Sequence, residues 1–447
     1  MPTAAATSRR LEQLATEAGL APRRQALLKA ALAAGLPTGR DENWRYANLR
    51  ALDRQVFSAA AVPDAEALQL AAAALPAALE GHARLVVVDG WLSTELSTTP
   101  LPAIVTRLEN EDALSTTALD DAGASPTTTR TPATPLRAAS GAPTVDLRFA
   151  QLNAALAPQT LSIDLPYGST AAVELVFVAT ADASHSASHP ALQLRIGDGA
   201  RLDLVERHLG AGAAATFSNA DLRIEVGTQA RLRHTRLQQL GPRSKHFDTL
   251  RLRAHDGAEC EYLVVAAGAQ SARSTALLEL LGREASLRWD AVSLGDRTQI
   301  NDAFVRVEHI GRGTRTRQAF RGIAAGRSRL AFNGHMIVRD SAIGAASDQS
   351  LKALLAGTEA EADVRPQLEI YIDEVRASHG ATVGKLDEQM RFYLLSRGLD
   401  PATADALLKW AFVEDMVARI ALPALRRQVE DVMAAQLHTV IDTAELR

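Results

Sequence analysis

The sequence predicts a mainly β protein, a β-solenoid core with helical segments at both ends. A unit of alternating strand, turn, small residue and second alternating strand recurs along the middle of the chain. Helical spacing is almost absent from Leu192 to Ile337, whereas apolar residues at helical intervals, with capping signals, mark both ends.

Four parts follow in order: a mostly helical segment over 1–113, a flexible linker over 114–143, the solenoid over 144–385 and a helical subdomain over 386–447. From Thr7 to Leu36 the residues Leu11, Leu14, Ala15, Ala18, Leu27, Leu28, Ala31 and Leu32 keep helical spacing, and Gly35 to Pro37 ends it. The string DENWRYANLRAL, 41–52, is expected to dock Trp44 and Tyr46 onto the neighbouring domain. Residues 114–143 are rich in Thr, Ala, Ser and Pro, too poor in large apolar groups to offset the entropy of ordering.

The repeat aligns LQLRIGDGARLDL from Leu192, LRIEVGTQARLRH from Leu222, LRLRAHDGAECEY from Leu250, LLELLGREASLRW from Leu277 and VRVEHIGRGTRTR from Val305. Its small residues Ala200, Ala230, Ala258, Ala285 and Thr314 are spaced by 30, 28, 27 and 29. One such unit cannot bury its own apolar stripe, but stacked copies share a continuous core. A β-sandwich with long hairpins is the alternative, and the steady period favours the solenoid. Cys260 falls in the slot of Leu202, Leu232 and Leu287, so it is expected to point inward as an inert small hydrophobe.

The stretch 368–398 reads as an alternating strand, with Leu368, Ile370 and Ile372 on a buried side, that carries His379 into a Gly/Ala/Thr turn. After Asp373 and Glu374 the parity resets, and Val375, Ala377, His379, Ala381 and Val383 share a side. A lone His on such a face is ordinarily a satisfied core residue. A helix from Asp387 to Ser396 is closed by Gly398, and Asp400 with Pro401 starts the next. That helix has Ala404, Leu407, Leu408, Ala411, Phe412 and Met416 on one stripe. Pro423 breaks it, and a last helix presents Leu425, Val429, Val432 and Met433.

Composition narrows the function. Forty-eight basic residues nearly balance 52 acidic ones, for a net charge of −4 over 447 residues, which excludes wholesale basicity as an argument for nucleic acid. One cysteine excludes an intramolecular disulfide, a CxxC pair and an all-cysteine metal site. The first twenty residues lack the apolar core of a secretory signal and no window reads as a membrane span, so a cytoplasmic protein is expected. GATVGK, 380–385, is one residue short of a phosphate-binding loop, and no GxSxG, HExxH or dinucleotide fingerprint occurs, so no enzyme is expected. His185 and His189 have metal-compatible spacing but are expected on a solvated loop. Arg312, Arg315, Arg317 and Arg321 read as the wet face of a rung. A carbohydrate-binding solenoid would need a ladder of carboxylates and aromatics that is not seen at 4% aromatic content.

Five strings carry a resemblance: FNGHMIVRDSA (332–342), QSLKALL (349–355), RPQLEIYIDEV (365–375), SHGATVGKLDEQMRFYLLSRG (378–398) and ALLKWAF (406–412). Together they resemble the SufD family, subunits of the SUF iron-sulfur cluster assembly scaffold. Where the related SufB reads His-Glu-Ala-Thr, this chain has His379, Gly380, Ala381 and Thr382. The resemblance implies a right-handed parallel β-helix that pairs with SufB through the strands at its C-terminal end. It implies recruitment of the SufC ATPase by the C-terminal helices, with Leu394, Leu395, Arg397, Leu407, Leu408 and Phe412 as the docking residues. It makes His379 the candidate iron or cluster ligand, toward an iron-sulfur cluster held transiently and shared with SufB, and gives this chain no ATP site. Flavin binding is left open. Many SufD sequences carry a cysteine where Ala377 stands, so a ligand role rests on His379. Whether the isolated chain forms a homodimer through the same strand edge is left open by the sequence, although unpaired edges seek partners.

Overall fold

The computed structural model describes residues 22–33, 37, 41, 44–47, 49, 57–99, 104–108, 147–180 and 186–437. The linker 114–143 and residues 1–21, with Leu11, Leu14, Ala15 and Ala18 of the expected N-terminal helix, lie outside them. In chain order the elements are α1 (Pro22–Ala33), β1 (Ser58–Ala59), α2 (Ala65–Ala74), β2 (Ala83–Val88), β3 (Trp91–Ser93), β4 (Val105–Leu108) and α3 (Arg148–Leu156). Next come β5 (Thr160–Leu165), β6 (Thr170–Thr180), β7 (Ser186–Ser188), β8 (Ala191–Ile196), β9 (Arg201–Ala211), β10 (Thr216–Val226), β11 (Arg231–Gln239), β12 (Lys245–Ala254), β13 (Glu259–Ala266) and β14 (Ser271–Leu280). The series ends with β15 (Ser286–Gly295), β16 (Ile300–His309), β17 (Arg315–Ala324), β18 (Arg329–Val338), β19 (Ala346–Leu355), β20 (Glu361–Ile370), β21 (Arg376–Gly384), α4 (Glu388–Ser396), α5 (Pro401–Val417) and α6 (Pro423–Leu437).

From β8 onward even and odd strands alternate between two parallel sheets, of 11 and 10 strands, stacked into a solenoid of about seven turns. The aligned repeats are the turns that pass from the even sheet to the odd one, and the register pairs Leu202, Leu232, Cys260 and Leu287 as foreseen. The small residues Ala200, Ala230, Ala258, Ala285 and Thr314 are all fully buried at the corner. The residue before each has positive φ: Gly199, Gln229, Gly257, Glu284 and Gly313. Glycine takes that left-handed conformation freely, while Gln229 and Glu284 hold it at a cost of about 1 kcal/mol each.

The interior between the sheets holds the main apolar core. Outside, α1, α3 and Trp44 close an aromatic cluster with Phe149, Phe217 and Phe247 over the even sheet, so Trp44 docks as expected. Residues 83–108 also supply β2, β3 and β4, with β3 and β4 antiparallel at the first edges of the two sheets. The outer face of the odd sheet is covered by α5 and α6, which bury Val205, Leu237, Val265, Val292 and Ile323.

Four expectations are corrected. The stretch 368–384 is not one strand: β20 ends at Ile370, a turn follows, and β21 lies in the opposite sheet, so Gly380, Ala381 and Thr382 are strand, not turn. The buried stripe of α5 is Ala404, Ala406, Trp410, Val413, Met416 and Val417, while Ala411 is exposed and Leu407, Leu408 and Phe412 are half-buried. His189 is buried, not solvated: β7 pairs with β10, His189 Nδ1 lies 3.3 Å from Asn219 Nδ2, and burial lowers the imidazole to about 3. His185 lies outside the described residues. Arg312, Arg315 and Arg317 are exposed, but Arg321 is half-buried beneath Phe412 and 3.8 Å from Asp415.

Candidate functional site

The solenoid ends openly. β20 and β21 are the last strands of their sheets, and among the described residues no element pairs with their outer edges. An interior that is closed in every preceding turn is therefore laid bare. Its half-buried apolar members Val364 and Leu368 belong to β20, and Ala377, Ala381 and Val383 share their inward parity on β21. Ile370, Tyr371 and Val383 are 42%, 51% and 42% exposed.

His379 stands within this apolar end. Register places it above Gln349, which follows Gln318, Trp289, Tyr262 and His234 on successive turns. Every earlier member of that column is buried inside the solenoid, so His379 has interior parity and is exposed only because no turn follows it. The alternate position points outward, where Ser378 donates to Asp348 Oδ1 at 2.6 Å. Among the described residues no group of three or more His, Cys, Asp or Glu side chains could hold a metal ion. His379 by itself can offer at most one ligand.

Sequence reasoning missed a second polar assembly, deep in the interior. Glu206, His208, His234, Arg236, His246 and Asp248 occupy inward positions of β9, β11 and β12 and are at most 5% exposed. Arg236 bridges the carboxylates, Nε to Glu206 Oε1 at 3.0 Å and Nη1 to Asp248 Oδ1 at 2.7 Å. His234 Nε2 lies 2.8 Å from Glu206 Oε2, and His208 also contacts Glu206. Burial alone would raise both carboxylates, but Arg236 and the imidazoles hold them well below the ordinary range. Burial, with His246 nearby, brings His208 down to about 4. A cavity of about 60 Å³ adjoins this cluster, and the stacked rings of Phe320 and Phe332, 4.5 Å apart, lie at its far end toward His379. The only available sequence signal was polar residues at apolar parity on three neighbouring strands. Cys260 takes no part: burial pushes its thiol up to about 12, which keeps it protonated and inert.

The C-terminal helices divide in two. The helices α5 and α6 cover the solenoid, whereas α4 buries nothing and is tied to α5 by Arg391 Nε and Asp405 Oδ1 at 2.6 Å. Of the predicted docking residues Leu394, Leu395, Leu407 and Leu408 are half-buried, Arg397 is exposed over the Tyr393 ring, and Phe412 packs toward the odd sheet. The large apolar groups most open to solvent on α4 are Met390, Phe392 and Tyr393, at 55%, 72% and 52% exposed, none of which the sequence reading singled out. No described helix is long and apolar enough to cross a membrane.

Residues 177–412, just over half the chain, match the family described as SUF system FeS cluster assembly, SufBD core domain. The iron-sulfur cluster assembly protein SufD of Escherichia coli (strain K12) is 28% identical over 413 residues, 91% of each chain. An iron-sulfur cluster assembly SufBD family protein of Synechocystis is 25% identical over 418 residues, 90% of this chain and 87% of that one. Protein ABCI7, chloroplastic, of Arabidopsis thaliana is 26% identical over 248 residues, 55% of this chain and 52% of that one. An end-to-end match to a SufD, a family domain spanning the solenoid and a parallel solenoid with helical ends agree: this chain belongs to the SufBD family of iron-sulfur cluster assembly proteins and is SufD-like.

Proposed function

We propose that this chain is a scaffold subunit that pairs through its open solenoid end with a SufB-type chain, and that the nascent cluster forms at their junction with His379 as a ligand. The observation that carries the reading is the placement of His379 as the last member of an interior column, the one imidazole in an otherwise apolar open end. Imidazole suits iron, and a face of this composition becomes dry when a partner covers it. The cluster is the cargo of this site, and the remaining ligands come from the partner. The helix α4, with Met390, Phe392 and Tyr393 turned outward, supports recruitment of a SufC-type ATPase beside the residues named from sequence.

Co-expression with SufB-type and SufC-type chains tests both parts. His379→Ala is expected to leave the three-chain complex intact and to abolish cluster formation on it; normal cluster formation would leave His379 a packing residue. Phe392→Glu combined with Met390→Glu is expected to lose the ATPase and retain the SufB-type partner.

A further inference from the structure

An imidazole that presents one nitrogen as a lone-pair donor needs the other held, since the hydrogen bond made by one nitrogen decides which tautomer is present. Directly beneath His379 lies its Cα partner Gln349 on β19, and beneath that Gln318 on β17. Both are enclosed, at 1% and 0% exposed. Gln349 Nε2 donates to Gln318 Oε1 at 2.8 Å and to the Gly334 carbonyl at 3.2 Å. Those two acceptors orient the amide, and Gln349 Oε1, buried, has no hydrogen-bond partner among the described residues. Glycine at 334 makes room for the arrangement: a Cβ there would come within 2.3 Å of Gln318 Oε1 and 3.0 Å of Gln349 Nε2. The flanking interior positions of β19 are Ser347, beneath Ala377, and Leu351, beneath Ala381, so Gln349 is the inward residue in register with His379.

We infer that Gln349 is a positioning residue for His379: the structure holds no bond between them, but a turn of the exposed imidazole about its side-chain bonds brings one N–H to the waiting Oε1, and the other nitrogen then directs its lone pair out of the open end. Gln318 and Gly334 take the amide hydrogens of Gln349, which leaves its oxygen as the group free to accept. The use made of that lone pair rests on the ligand reading of His379, whereas the hydrogen bond itself does not.

The full-length chain carrying 15N-histidine separates the two. The 15N shifts of His379, assigned by the signal that disappears in His379→Asn, report its tautomer. The wild type is expected to favour one tautomer strongly, and Gln349→Met, which keeps length and removes the acceptor, to lower that preference about fivefold, the value of one ordinary hydrogen bond. Unchanged signals from His208, His234 and His246 certify an intact interior in each variant, and Gln349→Leu serves if the Met variant fails that check. Identical His379 shifts with and without an acceptor at 349 would overturn the inference, while leaving the co-expression result on His379→Ala untouched.

Discussion

Three buried imidazoles govern the response of this protein to acid. Burial lowers His189 to about 3 and His208 and His309 to about 4. An unfolded imidazole takes its proton near 6.5, so the stability these groups allow is complete above that pH and is lost as pH falls from 6.5 toward 4. Each contributes a slope of about 1.4 kcal/mol per pH unit in that window. Asp89 opposes them: burial raises it to about 6, so keeping it ionised costs stability that returns as pH falls through 6. Asp302, which burial also raises, acts in the same sense as Asp89, and three imidazoles outweigh two carboxyls. Urea midpoints are expected to drop steeply between pH 7 and pH 5, and His309→Gln to flatten the profile by about one proton. Cys260 was legible from sequence because its column repeats a leucine at fixed spacing. The cluster of Glu206, Arg236 and Asp248 was not, since polar residues at inward parity look like breaks in a strand until partners 12 to 30 residues away satisfy them. The side of β21 on which His379 lies could be read by alternation, but its exposure could not, because burial depends on whether another turn follows.

Strands were easier to read than the packing of helices. The turns carried glycine or a small residue at a constant interval, which fixes where each sheet gives way to the other. Helix α5 has Ala404, Ala406, Leu407, Leu408, Trp410, Phe412 and Val413 around much of its circumference, so spacing could not select the stripe that packs; contact with the outer face of the odd sheet and with α6 selects it. Trp410→Ala is expected to cost about 3–5 kcal/mol in chemical denaturation, whereas Phe392→Glu on the exposed α4 should stay within about 0.5 kcal/mol. At the turns, Glu284→Gly relieves a left-handed residue and is expected to raise stability by about 0.5 kcal/mol, the conformational relief exceeding the added freedom of the unfolded chain. A lowered urea midpoint would show that Glu284 is held there by contacts of its own.

Each turn of the solenoid rests on its neighbours, so protection should vary along the axis. Backbone hydrogen exchange is expected to be fastest in β20 and β21, which lack a covering turn, and slowest from β10 to β16, where both sheets continue on either side and helices cover the odd sheet. Uniform protection from β10 to β21 would contradict that gradient. The two ends of the stack also differ in kind. At the beginning, the short antiparallel strands β3 and β4 reverse the direction of the sheets, while at the end β20 and β21 present full-length parallel edges. A stack of identical chains joined end to beginning would lengthen without limit, as fibres do. Here the short reversed strands offer little edge to a neighbour, so joining at the open end, as proposed above, would favour two chains over a fibre.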